Sequence, residues 1–397
     1  KSNGDTLVEH SKNVYSTYIN KLSHFNKQTK ITKTFENILE YSSILHDIGK
    51  CVKSFQDYVI SDIKVDVKYL HNEIGWAFVK RYVKIPNIGG LNIKDYVLDV
   101  IYWHHGIDKK QNSDKVYEIL ETISEEDINV MKNYVEYTLG THFLEDYEST
   151  ESDKTPIYFE NNSNLQDYWK MFLRYNLISA DRFDKEETIY RDIISYDLSK
   201  LSLNKRFYDQ QNIIDSYHLK NTIIVNAPAG FGKSLVGLLW NIKHSNKKLV
   251  WICPRNIVAE SVYLNILDEM KLLNINAKIE LYLTGEVKKT NYDITGQGYN
   301  SDIIITNIDN FLTPLTNNNV SSRVRFILHS DVVFDEYHEL ISDDAYFSAF
   351  IHIMKVRTEF TESKTLLLSA TPTNVYKLWD KNELNTLILP AKNSHYD

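Results

Sequence analysis

The stretch Thr222-Ile223-Ile224-Val225-Asn226-Ala227-Pro228-Ala229-Gly230-Phe231-Gly232-Lys233-Ser234 decides how the second half of this chain is read. Thr222–Val225 is a short, β-prone run of strand length, and Ser234–Lys243 continues with apolar residues at helical spacing. A glycine-containing turn joins the two. Glycines let backbone N–H groups turn inward around phosphate oxygens, and the start of the helix adds positive potential. In that frame Gly230 and Gly232 shape a phosphate cradle, Lys233 reaches the β- and γ-phosphates of a nucleotide, and the Ser234 hydroxyl ligates Mg²⁺. The usual pattern opens with glycine, whereas this one opens with Ala227.

Outward from this stretch, strand-like runs recur at Leu249–Cys253, Lys278–Leu281, Ile303–Thr306, Val332–Phe334 and Thr365–Ser369, with helical patterns such as Ile257–Leu273 between them. Such alternation indicates a doubly wound parallel sheet. The run Asp331-Val332-Val333-Phe334 leads into Asp335-Glu336-Tyr337-His338, an acidic pair at the carboxyl end of a buried strand. Asp335 is suited to hold Mg²⁺, directly or through water, and Glu336 to orient and deprotonate the attacking water.

With Leu367-Leu368-Ser369-Ala370-Thr371-Pro372 downstream, this trio resembles superfamily 2 helicases of the DExH form. The resemblance implies that Cys253-Pro254-Arg255-Asn256, Thr284-Gly285 and Thr306-Asn307 contact the sugar–phosphate backbone of one nucleic-acid strand. It also implies that Gln210, in Phe207-Tyr208-Asp209-Gln210, reads adenine, and that His338 couples the nucleotide to the Ser369-Ala370-Thr371 loop.

The first half reads differently. Apolar residues three and four apart mark helices over Ile31–Ile48, Leu70–Val83, Ile93–His105, Ile128–Leu139 and Leu165–Phe183. At the end of the first of these runs lies Ile44-Leu45-His46-Asp47-Ile48-Gly49-Lys50. An adjacent His–Asp pair supplies an imidazole nitrogen and a carboxylate that can bridge two divalent ions. Further ligand candidates are His10, His71, the pair His104-His105 and Asp181, with Asp184 an alternative acid. A shell of five histidines and two aspartates suits Mn²⁺, Fe²⁺, Co²⁺ or Ni²⁺ better than Mg²⁺.

The ordered pattern resembles the HD metal-dependent phosphohydrolase superfamily. That resemblance implies two ions, one surrounded by His10, His46, Asp47 and Asp181. Asp47 would bridge to the other, held by His71, His104 and His105. Lys50, one turn beyond the pair, is placed to contact a scissile phosphate.

Together these readings give an all-α HD domain over residues 1–203, followed by a doubly wound, RecA-like domain over 204–397, with the junction near Leu201–Arg206. The order is similar to that of the helicase–nucleases of type I CRISPR systems. The implied activity is cleavage of single-stranded DNA by the HD domain, coupled to an ATP- and Mg²⁺-dependent helicase and recruited by a crRNA-guided surveillance complex. The chain ends soon after Ser369-Ala370-Thr371, so the second RecA-like domain and its arginine fingers are expected outside it, and turnover of ATP by this chain alone is expected to be slight. The lack of an initiating Met suggests that the native start also lies outside.

Composition narrows the alternatives. Forty-five basic and 53 acidic residues among 397 leave a net charge of -8, so any nucleic-acid groove is local rather than a bulk field. Cys51 and Cys253 form no metal or disulfide pattern, which fits a reducing, cytoplasmic setting. No apolar run has the length of a membrane span, and Lys1–His10 is too polar for a signal peptide. Two other functions stay open at this level: an HD nucleotide phosphohydrolase regulated by the ATPase half, and a non-catalytic DNA-binding switch.

Overall fold

The computed structural model of the chain describes residues 6–22, 32–61, 68–105, 116–145, 155–156, 170, 173–174, 176–178, 180–181, 191–199, 201, 205–217, 221–293, 299–316, 324–342, 346–347, 350–351, 353–354, 357–358, 363–371 and 386–389. Asp184 and Pro372 lie outside the described residues. Two compact units divide between Phe183 and Asp184.

The first unit is helical: α1 (Leu7–Leu22), α2 (Thr32–Leu45), a 3-10 segment (Ile48–Cys51), α3 (Lys53–Ser61), α4 (His71–Tyr82), α5 (Lys94–Trp103), α6 (Val116–Leu120) and α7 (Glu125–Thr138). Leu173, Arg174, Leu177 and Asp181 are also helical. Inward faces carry Ile38, Leu39, Leu45, Trp76, Phe78, Val97, Ile101, Leu173 and Leu177, all buried. Each such side chain removed from water contributes on the order of 1.5–3 kcal/mol. Within this apolar interior, Arg174 Nε and Nη2 grip both carboxylate oxygens of Asp99 at 2.5 Å, a buried bidentate pair that ties the helical residues near Asp181 to α5.

The 3-10 segment meets α4 through a glycine contact. A Cβ on Gly49 would stand 1.9 Å from the His71 carbonyl oxygen. Only a residue without a side chain allows the turn after Asp47 to lie against the start of α4.

The second unit holds α8 (Lys205–Tyr217), α9 (Lys233–His244), α10 (Asn256–Leu272), α11 (Ile308–Thr316), α12 (Val324–His329) and eight strands. These are β1 (Thr222–Asn226), β2 (Leu249–Cys253), β3 (Ile279–Leu283), β4 (Glu286–Thr290), β5 (Ile303–Asn307), β6 (Asp331–Phe334), β7 (Thr365–Ser369) and β8 (Thr386–Leu389). The sheet order is β4-β3-β5-β2-β6-β7-β1-β8. All pairings are parallel except β3–β4, so the sheet is mixed rather than wholly parallel. The sequence reading missed β4 because Glu286-Val287-Lys288-Lys289-Thr290 is a largely exposed edge strand without an apolar run. Thr284 and Gly285, with φ of 52° and 82°, form the two-residue turn of this hairpin.

The residues just before α8 belong with this sheet unit. The Arg191 guanidinium donates to the carbonyls of Lys247 (3.1 Å) and Ser245 (2.9 Å) and to Asn241 Oδ1 (2.8 Å). Ile194 and Leu201 join its apolar core. Contacts thus divide the chain earlier than the Leu201–Arg206 junction read from sequence. Among the described residues no helix is long and apolar enough to cross a membrane.

Gly49→Ala should destabilise the chain by roughly 1–3 kcal/mol, the usual range for overpacking a tight contact. Thermal unfolding followed by circular dichroism measures it, and an unchanged midpoint would contradict the contact.

Candidate active sites

α2 stops at Leu45, and the next two residues, His46 and Asp47, form the turn into the 3-10 segment with both side chains fully buried. Asp47 divides its carboxylate between two groups of imidazoles. Oδ2 faces His10 Nε2 and His46 Nε2, each at 3.4 Å, while His10 Nε2 lies 2.9 Å from Asp181 Oδ1. Oδ1 faces His71 Nε2 at 3.4 Å and His104 Nε2 at 3.6 Å, and His105 Nε2 lies 2.7 Å from His71 Nε2. Each group, Asp47 included, brings its potential ligand atoms within 4.8 Å of one another.

Two histidines are aimed by the backbone. Nδ1 of His46 is 2.9 Å from the Ser43 carbonyl, and Nδ1 of His104 is 2.7 Å from the Ile101 carbonyl. A carbonyl only accepts, so Nδ1 carries a proton in each ring and Nε2 is turned into the cluster. His46 Nε2, His104 Nε2 and Asp47 Oδ1 are buried and have no hydrogen-bond partner. Buried polar atoms are ordinarily paired. Their convergence with ionised carboxylates fits a pair of cations.

The electrostatics agree. Burial opposes ionisation of Asp47 and Asp181, yet the histidines around them hold both carboxyls well below the usual carboxylate range. Burial pushes His71 down to about 4 and also lowers His105, so both rings are neutral and each keeps one nitrogen without a proton. His46 goes the other way: against burial, Asp47 and Asp181 push it up to about 10. A cation entering there releases that proton. Lys50 Nζ sits 2.6 Å from Asp47 Oδ2, the oxygen that His10 and His46 also face.

In the second unit, parallel strands deliver their carboxyl ends to one edge of the sheet. The turn after β1 carries the loop read from sequence as a phosphate loop, with Gly232 left-handed at φ 82° before α9 begins at Lys233. Gln210 lies against this loop: its amide donates to the Phe231 carbonyl at 2.5 Å and the Gly232 carbonyl at 3.4 Å. A Cβ at Gly232 would come within 2.3 Å of that amide nitrogen.

At the end of β6, Glu336 adopts φ 45°, a conformation that costs a non-glycine residue about 1–3 kcal/mol. Its N–H donates to Asp335 Oδ1 at 3.0 Å, and its own carboxylate pairs with Lys233 and accepts from the Ala370 N–H at 3.0 Å. His338 Nδ1 lies 2.8 Å from Ser369 Oγ. Phosphate-loop lysine, acidic pair and Ser369-Ala370-Thr371 loop therefore form one polar chain. Burial raises Asp335 to about 6, with Lys233 opposing and Glu336 adding to the rise.

The three loops read as nucleic-acid contacts are joined by asparagines. Asn307 Nδ2 donates to Asn256 Oδ1 (2.7 Å), Asn310 N–H donates to Asn307 Oδ1 (2.8 Å), and Gly285 N–H donates to Asn310 Oδ1 (3.2 Å). Arg255 pairs with Glu339 at 2.9 Å.

Sequence reading missed Glu269 on α10, which accepts the Ser234 hydroxyl at 2.6 Å. One acidic residue in an amphipathic helix carries no signal of that role. Burial raises Glu269 to about 7, with the Ser234 hydrogen bond opposing. A carboxyl raised on folding stabilises fully below its unfolded value of about 4.5 and loses that contribution as pH climbs through about 7. Glu269→Gln should therefore unfold at a higher temperature than wild type at pH 8 and show a smaller gap at pH 5. A pH-independent difference between the two would refute the burial of this acid.

Comparison with known proteins follows the same division. Residues 6–158 match the family described as Cas3, HD domain, and residues 207–378 the DEAD/DEAH box helicase family. No curated protein is significantly similar to the chain in sequence. Among solved structures, T. fusca Cas3 superposes with a TM-score of 0.57 at 14% identity, covering 94% of this chain and 49% of that one. T. fusca Cas3-ATP gives 0.57 at 13% identity over 94% and 49%, and Cas3-AMPPNP gives 0.55 at 14% over 95% and 50%. At such identity the likeness is one of fold, and the chain spans about half the length of these proteins. By family matches in both halves and by fold across nearly its whole length, the chain carries a Cas3 HD domain followed by a DEAD/DEAH box helicase domain.

Proposed function

We propose that this chain supplies the nuclease and first RecA-like domains of a helicase–nuclease that degrades single-stranded DNA in CRISPR interference in the cytoplasm. The observation that carries the reading is Asp47, whose two carboxylate oxygens face separate groups of ligands. When bound, two divalent ions would supply Lewis-acid stabilisation to the attacking and leaving oxygens of a phosphodiester. His10, His46, Asp47 and Asp181 would hold one, and His71, His104 and His105 the other, with Asp47 shared. Lys50 places a positive charge beside Asp47, within the reach of a scissile phosphate.

The helicase half binds ATP through Lys233 on the phosphates, Ser234 and Asp335 on Mg²⁺, and Gln210 at the adenine end. Glu336 holds the hydrolytic water for deprotonation. The loops around Arg255, Thr284 and Asn307 track the strand, and His338 links nucleotide state to Ser369-Ala370-Thr371. A crRNA-guided surveillance complex provides the opened target.

Circular single-stranded DNA is the deciding substrate. After chelation and reloading, the chain should cut it with Mn²⁺, Co²⁺ or Ni²⁺ better than with Mg²⁺. Asp47→Ala should abolish the cutting, since two cations would face each other without their shared charge. Cleavage confined to free deoxynucleotides, or surviving in Asp47→Ala, would refute the assignment.

Lys233→Ala should weaken binding of a fluorescent ATP analogue by roughly 10–100-fold, the loss expected for one charge-assisted hydrogen bond of about 1.5–3 kcal/mol. Mn²⁺-dependent cutting by the same variant should be unaltered. Undiminished nucleotide binding would overturn the phosphate-loop reading.

A further inference from the structure

Helix α7 carries no ligand of the two-ion cluster, yet it hydrogen-bonds the chain before and after the His46-Asp47 turn. Asp127, Met131 and Tyr134 share one face of this helix at spacings of four and three. Near one end of that face, Asp127 Oδ1 accepts the Lys53 N–H at 2.8 Å, just after the 3-10 segment. Near the other, the buried Tyr134 hydroxyl donates to the Ile44 carbonyl at 2.8 Å, two residues before His46. Met131, between them on the helix, is fully buried.

Tyr134 also reaches a second ligand helix. Its oxygen lies 2.9 Å from the hydroxyl of Ser11, the neighbour of His10 on α1. The single phenolic proton goes to the Ile44 carbonyl, so Ser11 donates to Tyr134. Burial raises the Tyr134 hydroxyl well above its ordinary value, which keeps that proton in place. Tyr134 thus links α1 to the end of α2, the elements that present His10 and His46 to the same oxygen of Asp47, beside a direct and longer contact of the Ser11 hydroxyl with the Ile44 carbonyl at 3.5 Å.

We infer that Tyr134 is a positioning residue for the ion held by His10, His46, Asp47 and Asp181, setting its affinity by tying Ser11 on α1 to Ile44 at the end of α2. The inference rests on the two-ion reading proposed above. The group around His71, His104 and His105 stands on α4 and the end of α5, which Tyr134 does not tie, so its ion depends on Tyr134 only through Asp47.

The test is calorimetric titration of the whole chain with Mn²⁺ alone. Asp181→Ala removes a ligand of the first group and His105→Ala one of the second, so these variants assign the two binding steps. Tyr134→Phe keeps the ring and loses the hydroxyl. It should weaken the Asp181-dependent step by roughly 10–100-fold, the range for lost support behind metal ligands, and weaken the other step less. Ser11→Ala, which cuts the α1 side of the tie together with the longer Ser11–Ile44 contact, should shift the same step in the same direction.

Metal-free unfolding should stay cooperative in both variants, and if Tyr134→Phe fails to fold, Ser11→Ala decides alone by the same outcomes. An unchanged Asp181-dependent step, or equal weakening of both steps, overturns the role of Tyr134. A wild-type chain that takes up fewer than two ions would instead overturn the two-ion reading, and this inference with it.

Discussion

One carboxylate with two jobs sets the terms for the helical unit. Asp47 faces imidazoles from α1 and the end of α2 with one oxygen, and imidazoles on α4 and at the end of α5 with the other. Such a division tolerates little displacement, because a shift toward either group is a shift away from the other. The surrounding structure meets that demand by restraint. Gly49 lets the turn lie against the His71 carbonyl, and backbone carbonyls lock the His46 and His104 rings. Asp99 and Arg174 form a buried bidentate pair between α5 and the helical residues near Asp181. A buried ion pair of this kind is weak evidence for stability but strongly directional, since removing either partner leaves an uncompensated charge.

A comparable economy operates at the edge of the sheet. Parallel strands place the phosphate loop after β1, the acidic pair after β6 and the Ser369-Ala370-Thr371 loop after β7, and these three strands are near neighbours. Glu336 stands at their meeting point with its backbone in a left-handed conformation. Its carboxylate touches both Lys233 and the Ala370 N–H, so any movement of the lysine away from it releases a group hydrogen-bonded to the neighbouring loop. The strain at Glu336 is local. What it secures is a carboxylate that senses two loops at once.

The two halves therefore differ in how they hold charge. In the helical unit, buried carboxylates are kept ionised by surrounding imidazoles, an arrangement suited to cations. At the sheet edge, burial raises Asp335 toward neutrality despite Lys233, and Glu269 behind the phosphate loop is raised further. Those acids are poised in an environment where a bound cation and a polyphosphate would alter their ionisation.

Much of this was written in local sequence. Ile- and Leu-rich runs specified the central strands because a strand buried on both faces needs apolar side chains at every position. The phosphate loop, the acidic pair and the His46-Asp47 turn were legible because each confines its chemistry to adjacent residues. The edge strand β4 escaped notice because it is exposed and obeys no such pattern. Only the tertiary structure could show that His10, His71, His104, His105 and Asp181 converge on Asp47, that Gln210 lies on the phosphate-loop carbonyls, and that Glu269 and Tyr134 support residues far from them in the chain. Residue type and spacing determine which groups can ligate or hydrogen-bond; which of them meet depends on helix packing, and packing is decided by contacts between segments that no local pattern records.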